Sequence, residues 1–172
     1  MNHPFRAFLF RRYPWIILAV LAVALPAVAH LSKPDNLTVN VATVLGGVAG
    51  VVFFVQKQKI EELQIFERLF TAFNQRYAAL NQGLQAIVAG AATDDSQARD
   101  CLNDYFNLCA EEYLFYREGR ILPDVWAAWC RGMLFYLRCP RIRAHWDAEV
   151  TTGSYYGLSL EIIDEGSRYP NR

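Results

Sequence analysis

Two groups of residues in this sequence have the types and spacing that chemistry could use. Tyr105, Cys109, Glu112 and Tyr116 recur at intervals of three and four, so a helix would carry them on one stripe, with Asp104, Glu111 and Glu118 on its wet side. A carboxylate held among tyrosines loses hydration, its pKa rises, and it can act as a general acid or base. The plainer reading of Glu112 is a structural carboxylate tied to a tyrosine hydroxyl or an arginine, and it is preferred here. The second group is basic. Arg131 and Arg138 lie seven apart, opposite Trp126, Trp129 and Met133, and Arg141, Arg143 and Trp146 follow at once. Four arginines beside a tryptophan could hold a phosphate or nucleotide by charge and stacking, or face anionic lipid headgroups. A solvated face paired with local carboxylates is the more economical account. Trp126, Trp129 and Met133 themselves have the spacing of a buried stripe.

No other chemistry is legible. The sequence has no P-loop, no glycine-rich dinucleotide turn and no G-x-S-x-G elbow, and His3, His30 and His145 are too scattered for a metal or triad site. Cys101, Cys109, Cys130 and Cys139 form no C-x-x-C pair, so they are read as free, mostly packed thiols of a reducing compartment. The expectation is therefore a protein that is not an enzyme and carries no metal or cofactor.

The elements that position these residues begin with two apolar runs. Trp15 to Leu31 holds no charged residue unless His30 is protonated, and its 17 positions, at about 1.5 Å each, nearly span a hydrocarbon core of about 30 Å. A signal peptide is the rival reading, but the run is long for one and a second apolar run follows at Leu37 to Val55. Between them Pro34, Asp35 and Asn36 form a turn short enough to force an antiparallel hairpin. The expected domains are thus a transmembrane hairpin in residues 1–55, with helices at about 15–31 and 37–55, and a soluble unit in 56–172.

Charge placement orients the hairpin. The overall charge is zero, yet residues 1–55 carry a net +3 and the remainder a net −3, which gives no case for binding duplex nucleic acid. Arg6, Arg11 and Arg12 precede the first run, Lys57 and Lys59 follow the second, and only Lys33 lies in the turn. The positive-inside rule then places both termini in the cytoplasm of a bacterial inner-membrane, multi-pass protein. Tyr13 and Trp15 sit where interfacial aromatics belong, and the Asn36-Leu37-Thr38 sequon is a chance match at the membrane surface.

Beyond the membrane the pattern is that of amphipathic helices. Leu63, Phe66, Phe70, Phe73, Tyr77, Leu80, Leu84 and Ile87 form one stripe, read as a core face in preference to a coiled coil, and the second membrane helix can run on into it as a stalk. Gly90 ends that helix and Ala91 to Asp95 supply caps. Further helices are expected at about 96–118, stopped by Gly119, at 123 to before Pro140, and at 142–150 and 154–164 around a Thr-Thr-Gly break. The fold class is all-α: a membrane hairpin plus a cytoplasmic bundle of four or five helices.

Within the second run Ala42, Gly46 and Gly50 are four apart and form a small-x-x-x-small face. It can pack the hairpin on itself or join copies into a homo-oligomer. In an assembly Asn40, Thr43 and Gly47 could line a narrow path for ions or water, without any charged residue.

The segment Tyr105 to Trp146, YFNLCAEEYLFYREGRILPDVWAAWCRGM followed by RIRAHW, resembles small two-helix bacterial membrane proteins of unknown function that carry a helical cytoplasmic domain. The resemblance implies a mobile-element or phage-defence setting, in which some such proteins permeabilise the inner membrane, and it assigns no catalytic residue. Taken together, the sequence reads as a non-enzymatic inner-membrane protein, an oligomeric anchor or pore-type effector whose cytoplasmic domain binds a protein partner or an anionic signal. A membrane-tethered enzyme using Glu112 and a passive scaffold are the alternatives.

Overall fold

The structure, a computed structural model, describes the backbone of residues 3–92 and 94–169 and the side chains from residue 12 onward in that range. His3, Arg6 and Arg11 therefore lie outside the described side chains. All secondary structure among the described residues is helical. It comprises α1 (His3–Leu31), α2 (Leu37–Val88), α3 (Asp95–Arg117), α4 (Pro123–Leu137), α5 (Pro140–Glu149) and α6 (Leu160–Ser167), with 3-10 turns at Pro34–Asn36 and Val150–Thr152. The chain divides into two compact units, Met1–Leu63 and Gln64–Arg172.

In the first unit α1 and the early part of α2 are long and apolar enough to cross a membrane, and neither stretch is buried inside the molecule. Pro14 and Pro26 lie within α1, each removing one backbone donor from the helix. The two helices form a hairpin whose ends are tied by side chains. Gln56 Nε2 donates to the Tyr13 hydroxyl at 2.8 Å, and Asn40 Nδ2 donates to Ser32 Oγ at 2.8 Å. Lys59 Nζ sits 4.5 Å from the centre of the Tyr13 ring, a cation–π contact at the end of the apolar run. Residues shielded in the hairpin recur as Tyr13, Ile17, Leu21, Ala24 and Val28 on α1 and as Val41, Val44, Val48, Val52 and Val55 on α2. Spacings of three and four mark one face on each helix.

The second unit is a bundle formed by the later part of α2 with α3 to α6. Each boundary has a local cause. Gly90, in the left-handed conformation at φ +69°, lets the chain leave α2. The Asp94 carboxylate caps α3 by accepting from the backbone N–H of Ser96 at 2.9 Å. Gly119, at φ +71°, ends α3, and Pro123 and Pro140 open α4 and α5 at the position where a missing N–H costs nothing. The core is heavily aromatic. Phe106 meets Trp146 edge-on at 4.9 Å, Trp146 stacks on Tyr155 at 5.4 Å, and Tyr116 stacks on Trp126 at 5.0 Å.

Two expectations are corrected. The stripe from Leu63 to Ile87 was expected to be one continuous core face. Phe73, Leu84 and Ile87 are buried, but Leu63 and Phe70 are exposed, Phe70 still stacking one side of its ring on Trp129 at 6.2 Å. Periodicity shows which residues share a face and not how much of the face is covered. A helix was expected at 154–164, yet α6 runs Leu160–Ser167. Tyr156 and Gly157 both adopt positive φ, +53° and +86°, which a right-handed helix excludes. The helix starts only where Ser159 accepts from the Ile162 N–H.

Candidate functional site

Glu112 is the one buried charged residue among the described core, 6% exposed. It projects from α3 on the stripe shared with Tyr105 and Cys109, both buried, and Tyr116, which is half-buried. Asp104 and Glu118 point into solvent as expected, and Glu111 lies at the edge. Burial pushes the Glu112 carboxyl up to about 8, the Arg76 guanidinium opposes that rise, and the neighbouring Glu111 carboxylate adds to it. Arg76, on α2, spends its fork on Glu111, with Nη2 3.2 Å from Oε1 and Nη1 on Oε2. Arg76 thus reaches Glu112 only as a field.

The thiols around this carboxyl are not activated. Burial, reinforced by the Glu112 charge, raises Cys109 well above the ordinary thiol range and Cys130 to about 12. A thiol so raised is protonated and a poor nucleophile at neutral pH. Tyr105 is likewise raised by burial. His145, the histidine nearest this part of the sequence, is committed to Asn103 at 2.7 Å and lowered by burial. The stripe therefore supplies one proton-holding carboxyl in an apolar, aromatic setting. Neither a nucleophile nor an orienting base faces it among the described residues.

Three of the four arginines of the basic group are engaged within the unit. Arg131 Nη1 donates to the Ser167 carbonyl at 3.1 Å, tying α4 to the end of α6. Arg141 donates to the Ala92 carbonyl at 3.2 Å and pairs with Asp95, fastening the start of α5 to the segment before α3. Arg143 pairs with Asp147 one turn on, at 2.9 Å, and Arg138 is exposed. Trp146 is 1% exposed, with Phe106 and Tyr155 against its ring. Arg131, Arg141 and Arg143 are thus held by different partners, and the Trp146 ring is enclosed. Sequence spacing could not show this, because Asp95 and Ser167 are remote in the chain.

On the apolar part of α2 two polar side chains make hydrogen bonds within the hairpin. Asn40 bonds Ser32, and Thr43 Oγ1 donates to the Val39 carbonyl at 2.8 Å. Ala42, Gly46, Gly47 and Gly50 are exposed. A methyl group built at any of the three glycines would meet nothing within 4 Å. The small residues are thus turned away from α1, and the hairpin does not use them for its own packing.

Two features escaped the sequence reading. A groove of about 600 Å³ lies between the end of α2 and the start of α3, its lining including Ala79, Gly83, Ala86, Asp94, Asp100 and Asp104. Gly166 on α6 packs directly on α4, where a β-carbon would fall 2.6 Å from Cys130 Sγ and 2.6 Å from Trp126 Nε1. Its spacing of three from Ile163 was the available signal. Among the described residues no group of histidine, cysteine and carboxylate side chains is arranged to hold a metal ion. Comparison with known proteins gave no match to a protein-family model, to a curated protein or to a solved structure.

Proposed function

We propose that the protein is a membrane-anchored binding protein rather than an enzyme. The hairpin of α1 and early α2 crosses a bilayer twice, both termini lie in the cytoplasm, and the unit Gln64–Arg172 engages a protein partner there. The observation that carries this reading is the exposure of two apolar helices joined by a three-residue turn. The core helix of a water-soluble protein can be as long and as apolar, but it is buried, and these are not. A signal peptide would account for α1 alone. The Lys and Arg distribution around the two runs supports the orientation.

Self-association is part of the proposal, since Gly46 and Gly50 serve no contact within the chain. A pore is the weaker form of it. Asn40 and Thr43 each already donate a hydrogen bond inside the hairpin. Among the described residues that line it, the groove with Ala79, Ala86, Asp94, Asp100 and Asp104 has no lysine or arginine. A cationic segment of a partner, its aliphatic stems on the alanines, is the chemistry that suits it. The resemblance of Tyr105 to Trp146 would place such an anchor in a host-defence setting.

The enzyme reading rests on the raised pKa of Glu112. That shift follows chiefly from burial, with the Glu111 carboxylate adding to it, and burial is what a structural carboxyl would also show. Alkaline extraction of membranes tests the anchor. The full chain is expected to stay in the membrane pellet; complete release into the supernatant would mean that the two helices do not insert.

A further inference from the structure

We infer that the open end of the hairpin holds the phosphate group of one anionic phospholipid, between Lys59 and the Tyr13 hydroxyl on the seam of the two helices, with Arg12 from the adjoining position of α1. The inference rests on the proposed membrane insertion and adds to it a ligand class and a site. The first observation is the seam itself. Its shielded positions on α2 are Val41, Val44, Val48, Val52 and Val55, and the same alternation of three and four places Lys59 next. Lys59 is half-buried, so a cation stands where the pattern has valines. Across the seam it meets the first shielded residue of α1, its Nζ 4.5 Å from the centre of the Tyr13 ring. Tyr13 is held from a second side as well, since its hydroxyl accepts from Gln56 Nε2 at 2.8 Å. A phenol that accepts one hydrogen bond still has its own O–H to give. No side chain among the described residues takes that proton.

The second observation is the depth of the charges. At about 1.5 Å per residue, Lys57 and Lys59 lie about 3 and 6 Å past Val55, and Arg12 lies about 4.5 Å before Trp15. A headgroup layer is about 5–8 Å thick, so all three cations reach the level of the phosphates. Glu61 and Glu62, the carboxylates of the same stretch, lie about 9 and 10.5 Å past Val55, beyond that layer. The charge that faces the phosphates is therefore positive, although the stretch as a whole is nearly balanced. At the turn end of the hairpin Lys33 stands against Asp35 and there is no such excess.

The donors fit a phosphate. An ammonium carries three N–H groups and a guanidinium five, so each cation can take a phosphate oxygen in addition to the contacts it already makes. Ammonium, guanidinium and phenol together match the several acceptor oxygens of a phosphodiester, and a basic site between membrane helices on the cytoplasmic side is suited to an anionic headgroup. Lys59 makes this a site and not a diffuse attraction, because the ring and the seam fix it. Lys57 provides the contrast. It is exposed, about 200° round the helix from Lys59, and pairs with Glu61 at 3.8 Å.

Native mass spectrometry of the full chain in detergent, at physiological ionic strength, counts the lipids that stay bound. Phosphatidylglycerol is expected to give one saturable adduct, held about fivefold or more tightly than phosphatidylcholine. Lys59→Gln should weaken its retention about fivefold and Lys59→Arg should keep it. Lys57→Gln removes the same charge at a similar depth and should change retention by less than about twofold, since a pair in water is screened. Because Lys59→Gln also removes the contact with the ring, Tyr13→Phe is the second variant; it keeps the ring, loses the hydroxyl and should weaken retention about threefold. Equal losses for Lys57→Gln and Lys59→Gln, unchanged retention in Tyr13→Phe, or equal retention of the two lipids would overturn the site. Displacement of phosphatidylglycerol by millimolar inorganic phosphate would assign the site to a soluble phosphate and overturn the lipid. Release of the wild-type chain from membranes by alkali would overturn the membrane reading instead.

Discussion

Replacing Glu112 with glutamine is expected to remove most of the loss of stability that the second unit shows between mildly acid and mildly alkaline pH. The folded carboxyl titrates at about 8, against 4.5 for the unperturbed group. Between those two values the folded state keeps a proton that the unfolded state has released, so stability falls as pH rises through the window. At 1.36 kcal/mol per unit the whole fall is on the order of 5 kcal/mol, and it is complete once pH exceeds the folded value. Glutamine has the same shape and no proton to lose. The variant should match the wild type near pH 4.5 and exceed it by about 3–5 kcal/mol at pH 8.5. Denaturant titration followed by tryptophan fluorescence in nanodiscs reads this directly. A variant with an undiminished pH slope, or one less stable than the wild type at pH 8.5, would show that the Glu112 carboxylate is well accommodated. A functional role for its charge would then regain support.

Gly166→Ala should destabilise the unit. The new methyl group would lie 2.6 Å from both Cys130 Sγ and Trp126 Nε1 and 3.2 Å from Trp126 Cδ1. Cys130 and Trp126 are themselves buried, so neither can move aside without disturbing the core. Overpacking of this kind costs about 1–3 kcal/mol, and in a unit of this size about 2 kcal/mol lowers Tm on the order of 10 °C. Gly132 on α4 supplies the control. It is exposed, and a β-carbon there would meet nothing within 4 Å. Gly132→Ala should therefore leave stability unchanged or raise it by up to about 1 kcal/mol. Equal thermal midpoints for the two variants would contradict the close approach of α4 and α6.

Much of the architecture was legible because local rules govern it. Gly90, Asp94, Gly119, Pro123 and Pro140 act through the backbone of their own segments, and the helices begin or end beside them. Glu112 was legible for a related reason, since the stripe Tyr105, Cys109, Glu112 depends only on helical periodicity. What was not legible depended on distant partners. Arg141 pairs with Asp95 and Arg131 donates to the Ser167 carbonyl, and neither contact leaves a mark in the local sequence. The late start of α6 turns on Tyr156, an unusual residue for a left-handed conformation, whose carbonyl accepts from Arg117 at 3.1 Å. The exposure of Gly46 and Gly50 could not be told from packing against α1 until the shielded valines of α2 fixed the hairpin face.

Topology mapping of the hairpin tests the central claim most directly. Asp35, in the exposed turn between α1 and α2, is replaced by cysteine, and intact cells are treated with a membrane-impermeant maleimide while a reporter at the C-terminus records its compartment. The account predicts that Asp35→Cys is labelled from outside and the wild type is not, and that the C-terminal reporter is active in the cytoplasm. Labelling of Asp35→Cys only after permeabilisation, or a C-terminus found outside the cell, would contradict a hairpin that crosses the membrane twice with both ends in the cytoplasm.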